Sequence, residues 1–71
     1  MLVGKIAKNS KHRILVTIED HKGTKMIDLR VYQIINDGEL SPTPEGISLV
    51  PESLNAVVEL LKDAQKKLMV E

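Results

Sequence analysis

Apolar and polar residues alternate along the first half of the chain and recur at helical spacing along its end. From His12 to Glu19, Ile14, Val16 and Ile18 fall on one face and Arg13, Leu15, Thr17 and Glu19 on the other. This β-branched, period-two stretch predicts a strand with one face buried. The run from Thr24 to Ile35 repeats the pattern, with Ile27, Leu29 and Val31 as the inward set and Met26, Asp28, Arg30 and Tyr32 opposite. Asp20-His21-Lys22-Gly23 connects the two as a turn, Gly23 being suited to a positive φ, so an antiparallel hairpin is expected. Upstream, Met1 to Ile6 reads as a short strand or a loose start, and Ala7 to Lys11 as a turn.

Downstream, Asn36-Asp37-Gly38 is a strong turn signal. Glu39 to Ser41 reads as a brief strand, and Pro42 to Gly46 as stiff and irregular, because each proline removes a donor and restricts its predecessor. Ile47-Ser48-Leu49 is extended again. A helix is predicted from Pro51, with Glu52 in its first turn and Val50, a poor cap, before it. Leu54, Val57, Val58, Leu61 and Leu68 share one helix face, with Ala64 in the gap and Leu60 widening the stripe. Four short strands cannot bury a stripe this broad. The expectation is a homodimer whose interface uses Leu54, Val57, Leu60, Leu61 and Leu68.

Size supports that expectation. A chain of 71 residues is one small domain that buries only about 60% of its unfolded surface. It has no cysteine, so neither a disulfide nor a thiolate metal site contributes stability. Two unrelated histidines make a metal site unexpected. Tyr32 is the sole member of the Phe, Trp and Tyr class, which leaves the core to Ile, Leu, Val and Met and argues against a platform of many stacking rings. No apolar run is long enough to span a membrane and no signal-peptide core opens the chain, so a cytoplasmic location is expected.

The net charge of zero hides an asymmetry. Lys5, Lys8, Lys11, Arg13, Lys22, Lys25 and Arg30 outnumber Glu19, Asp20 and Asp28 up to Val31, and acidic residues dominate thereafter. A neutral total argues against indiscriminate tight binding to nucleic acid, yet the strand half permits a local basic surface. Its cations read either as a phosphate-tracking surface or as a solvated face protecting sheet edges. Arg30 reads either as a phosphate or base contact or as a cross-strand ion-pair partner, for instance of Glu19. Tyr32 could stack on a base or pack beneath a long side chain. His12 and His21 read as surface residues, His21 in a turn where its ring could meet a base. Glu45, Glu52 and Glu59 converge with no histidine, and no nucleophile–base pairing can be assembled. An enzyme is therefore not expected, nor a metal or cofactor.

Four segments carry a resemblance in combination: Asp20-His21-Lys22-Gly23; Ile27-Asp28-Leu29-Arg30-Val31-Tyr32; Asp37-Gly38-Glu39-Leu40-Ser41-Pro42; and Gly46-Ile47-Ser48-Leu49-Val50-Pro51-Glu52. Their order and spacing resemble the transcriptional coactivator p15 family, also called positive cofactor 4, over roughly Lys11 to Leu61. The resemblance implies an α+β fold, with a curved four-stranded antiparallel sheet followed by one C-terminal helix and dimerisation through helix and sheet. It also implies binding of single-stranded DNA or locally melted duplex, with a role in transcription and, in some members, replication or repair. The domain would span 1–71, with 1–10 loosely matched, strands within 11–49 and the helix over 51–69.

Arg30 stands at the family's strand arginine and Lys22 at its turn lysine. Other positions depart: His21 replaces the turn aromatic, Gln33 the ring after the strand tyrosine, Pro44-Glu45 the basic pair before the loop glycine, and Leu54 the helix tryptophan. A lost stacking ring costs about 1–3 kcal/mol per base contacted. The expected function is therefore non-sequence-specific single-stranded nucleic-acid binding. The expected contacts are Lys5, Lys8, Lys11, Arg13, His21, Lys22, Lys25, Arg30 and Tyr32, and the transcription machinery is an expected partner. The alternative is a dimeric protein-interaction module that keeps the fold without DNA affinity, favoured by Glu45 and the acidic second half.

Overall fold

The computed structural model describes residues 1–70. Alternation produces β2 (His12–His21) and β3 (Thr24–Ile34), which β1 (Leu2–Ala7) and β4 (Leu40–Leu49) flank, and helical spacing produces α1 (Pro51–Met69). The strands form one open antiparallel sheet in chain order. The fold is the expected α+β arrangement of four strands and a C-terminal helix.

β2 and β3 pair without interruption from His12 opposite Gln33 to His21 opposite Thr24. The turn is therefore Lys22-Gly23 alone, shorter than predicted, because Asp20 and His21 continue the ladder. Both residues have positive φ, 54° and 87°, as a two-residue turn matched to the strand twist requires. Asp20 Oδ1 accepts from the Gly23 N–H at 2.8 Å and closes the turn. At the other end, Asn36–Gly38 forms a single 3-10 turn, with Asp37 and Gly38 at φ 61° and 79°. The Gly38 N–H donates to Ile35 O, and the Ile35 N–H to Glu39 O, one residue before β4 begins.

Two segments are more regular than their sequence suggests. The loosely patterned N-terminus is a full strand, and beyond it the Ile18 N–H donates to Met1 O at 2.8 Å. The stretch Pro42 to Gly46, predicted irregular, belongs to β4. Its prolines are tolerated because β4 is an edge strand, where a missing donor faces no neighbour. The irregularity survives as a bulge: Arg30 pairs Gly46 and Tyr32 pairs Pro42, so three β4 residues oppose the single Val31.

The register also corrects the predicted inward face. Ile14, Val16, Ile18, Ile27, Leu29 and Val31 do share a face, but they are only half-buried. The most enclosed side chains lie opposite: Leu15 (6% exposed), Thr17 (7%) and Asp28 (8%). They occupy the middle of cross-strand rows, Leu2–Thr17–Asp28–Ser48 and Lys5–Leu15–Arg30–Gly46.

α1 starts as predicted, with Pro51 at its first turn, no side-chain cap from Val50, Glu52 in the first turn and Lys66 and Lys67 in the last. It meets the sheet chiefly at β3. Leu54 and Val57 are half-buried and no helix residue is fully buried. Leu60 is 69% exposed and Leu68 80%, so the apolar stripe beyond Val57 has no cover within one protomer.

Candidate nucleic-acid interface

The register sorts the nine predicted contact residues into groups. Lys5, Arg13, His21, Arg30 and Tyr32 occupy one face of the sheet: Lys5 pairs Leu15, which pairs Arg30, and Arg13 pairs Tyr32. Lys8 and Lys11 lie at the β1–β2 connection. Arg13 Nη1 reaches back to that connection, donating to Asn9 O at 2.8 Å and His12 O at 2.9 Å. Asn9 Oδ1 accepts from the Lys11 N–H at 2.9 Å and lies 3.0 Å from His12 Nδ1, which orders the turn.

Lys22 sits at the tip of the opposite hairpin, beside His21. Nine strand residues separate this tip from the His12 end, a reach of about 30 Å, so cations stand at both ends of the face and in its centre. Lys25 does not join them. It pairs Asp20 in a register position on the aliphatic face, and each is the other's nearest cross-strand charge. Glu19 and Asp28 also lie on the candidate face, so its charge is mixed.

At the centre, the ion pair of Arg30 is with Asp28 on its own strand, not the cross-strand pair with Glu19 that was one reading of it. Glu19 sits across from Met26. Arg30 Nε and Nη2 donate to the two oxygens of Asp28 at 3.0 Å each, and Nη1 donates to Thr43 O at 3.0 Å. Ser48 Oγ donates to Asp28 Oδ1 at 2.8 Å, and Thr43 Oγ1 donates to Val31 O at 2.7 Å, tying the β4 bulge to β3. Residues two apart on a strand share a face, so the Asp28–Arg30 proximity is legible in sequence. Its supports Thr43, Ser48 and Gly46 are not legible there, because they arrive from β4 through a register that the bulge sets.

The Arg30 hydrogen bonds hold the Asp28 carboxyl below its ordinary range against the opposing effect of burial, and Ser48 adds to the lowering. A carboxylate whose pKa is depressed by folding contributes stability above its unfolded value, about 3.9, and that contribution is lost as pH falls through the lower folded value. Thermal melts between pH 6 and pH 2 are therefore expected to show a loss of stability beginning below about pH 4. Asp28→Asn should be less stable at pH 6 and should flatten the dependence in the acid window. An unchanged acid slope in that variant would remove Asp28 as its source.

Thr17 Oγ1, opposite Asp28 in the ladder, is buried without a hydrogen-bond partner. Among the described residues, no group of three or more His, Asp or Glu side chains is placed to hold a metal ion. No helix among them is long and apolar enough to cross a membrane.

Residues 8–60 match the family model described as Transcriptional Coactivator p15 (PC4). Among solved structures, the chain is similar to BPSL1147, a PC4 homolog from Burkholderia pseudomallei K96243. In the orthorhombic crystal form the identity is 29% over 92% of this chain and 88% of that one, with a TM-score of 0.87. In the tetragonal form the identity is 29% over 92% of this chain and 96% of that one, with a TM-score of 0.86. The fold is also shared with the bacteriophage T5 homolog of the eukaryotic transcription coactivator PC4, implicated in recombination-dependent DNA replication, at 14% identity over 99% of this chain and 81% of that one, with a TM-score of 0.79. The matched stretch contains β2, β3, β4, the Arg30 cluster and the first half of α1, and the chain belongs to the Transcriptional Coactivator p15 (PC4) family.

Proposed function

We propose that this protein is a homodimeric, non-sequence-specific binder of single-stranded nucleic acid acting in transcription or DNA metabolism in the cytoplasm, with no catalytic activity of its own. The observation that carries it is the gathering of Lys5, Arg13, His21, Arg30 and Tyr32 on one sheet face, with Lys8 and Lys11 at one end and Lys22 at the other. Family membership supports the same assignment. Cations along the face attract the phosphate backbone, and Tyr32 and His21 offer limited stacking; no base-edge readout is involved. Dimerisation is supported by the uncovered apolar side chains of α1.

The test is fluorescence anisotropy with a labelled single strand of about 20 nucleotides against matched duplex, at several salt concentrations. The expected result is preference for the single strand, with affinity falling steeply with salt, by about 0.7 log units per log of salt for each phosphate neutralised. Arg30→Ala and Lys22→Ala should each weaken binding and lower that slope by roughly one contact. No binding at low salt by folded protein would sink the proposal. The alternative, a protein-interaction module, would then lead, because Glu45 sits beside Gly46 at the bulge and the second half of the chain is acidic.

A further inference from the structure

Arg30 is held from three directions. Its stem passes over Gly46, where a Cβ would stand 2.9 Å from both Arg30 Cβ and Arg30 Cγ, so that row has room for the stem only because position 46 carries no side chain. Nε and Nη2 are taken by the two Asp28 oxygens, and Nη1 by Thr43 O. Asp28 is itself enclosed and anchored by Ser48 Oγ, so it cannot swing away with the arginine.

A guanidinium carries five N–H donors. Three are used here, and the other two, one on each terminal nitrogen, have no partner among the described residues. The geometry points to Asp28 as a positioning residue for nucleic-acid binding: with Ser48 behind it, it fixes the Arg30 guanidinium so that its two unused N–H donors stand preset for one phosphate of a bound strand. This rests on the single-strand binding proposed above and adds a role for a residue that would not itself touch the ligand. An unanchored arginine must surrender rotamer freedom when it binds, whereas one already held by a carboxylate has done so during folding.

The sign of the effect separates positioning from simple charge. Removing a carboxylate near a phosphate path strengthens binding on Coulombic grounds. If Asp28 positions Arg30, removing it weakens binding instead. The experiment is anisotropy with the same labelled single strand on wild type, Asp28→Asn, Arg30→Ala, the double variant, and Asp63→Asn as a charge control. Asp63 lies on α1 and its one ion pair is with Lys67.

Asp28→Asn is expected to bind about fivefold to tenfold more weakly despite its lost negative charge, a loss on the net scale of one hydrogen bond. Asp63→Asn should bind no more weakly than wild type. In the Arg30→Ala background, Asp28→Asn should cause no further weakening, because its target is gone and only the Coulombic gain from the lost carboxylate remains. Should Asp28→Asn fail to fold, Ser48→Ala, which removes only the anchor behind the carboxylate, is expected to weaken binding about twofold to threefold. Equal or tighter binding by folded Asp28→Asn, or the same loss in both backgrounds, would overturn the inference while leaving the function intact. No binding by the wild-type protein would overturn the function and the inference together, before any variant is made.

Discussion

Gly46→Ala is expected to lower the melting temperature by roughly 4–20 °C, the consequence of about 1–3 kcal/mol of overpacking in a domain this small. The added Cβ would lie 2.8 Å from Leu29 O and 2.9 Å from Arg30 Cβ and Arg30 Cγ. Arginine carbons can shift, but Leu29 O belongs to the backbone of β3, which is paired on both sides by β2 and β4. Relief must then come from β4, and displacing it disturbs the Thr43 and Ser48 hydrogen bonds to Arg30 and Asp28. The same change at Gly4, where an added Cβ meets nothing within 4 Å, should be neutral or slightly stabilising. Thermal melts of the two variants side by side give the test. Equal melting temperatures would show that β4 yields freely and that Gly46 is not a packing requirement.

The second large effect is expected at the helix. Paired substitution of Leu60→Asp and Leu61→Asp should convert the proposed dimer to a monomer in light scattering and make the remaining fold markedly less stable. Within one protomer Leu15 is the sole buried apolar side chain among the described residues, and α1 buries none. A domain with so little enclosed apolar surface has a small margin, and a partner that covers Leu60, Leu61 and Leu68 adds to stability by mass action, so wild-type melting should rise with protein concentration. Leucines that faced only water would tolerate aspartate at a cost of a few tenths of a kcal/mol. A wild-type protein that is monomeric at high concentration, with the double variant equally stable, would defeat the dimer and leave α1 as a helix with a solvated apolar stripe.

Local signals marked most of the architecture. The alternation around Ile14 to Ile18 and Ile27 to Val31 marks β2 and β3, Asp20-His21-Lys22-Gly23 and Asn36-Asp37-Gly38 mark the turns, the first more broadly than the two residues that make it, and Pro51 marks the helix start. Each depends on residues within a few positions of one another. The two prolines of Pro42 to Gly46 look like a break in the sequence, yet the segment is strand because β4 lies at the sheet edge. Alternation shows which residues travel together but not which set is more enclosed, and here Leu15, Thr17 and Asp28 lie deeper than Ile14, Val16, Ile18, Ile27, Leu29 and Val31 on the other face.

The candidate site divides the same way. The sequence by itself determined the cations available, the face shared by Asp28, Arg30 and Tyr32, and the helical stripe from Leu54 to Leu68, because spacing along one element sets direction. Only the tertiary structure decided that Arg30 is clamped by Asp28 rather than paired with Glu19, that Thr43 and Ser48 complete the clamp, that Gly46 must be bare, and that Lys25 falls on the opposite face. Those outcomes depend on registry between β3 and β4, which the bulge between Gly46 and Pro42 sets. A register is a collective result of pairing and packing across strands, and no single stretch of this chain encodes it.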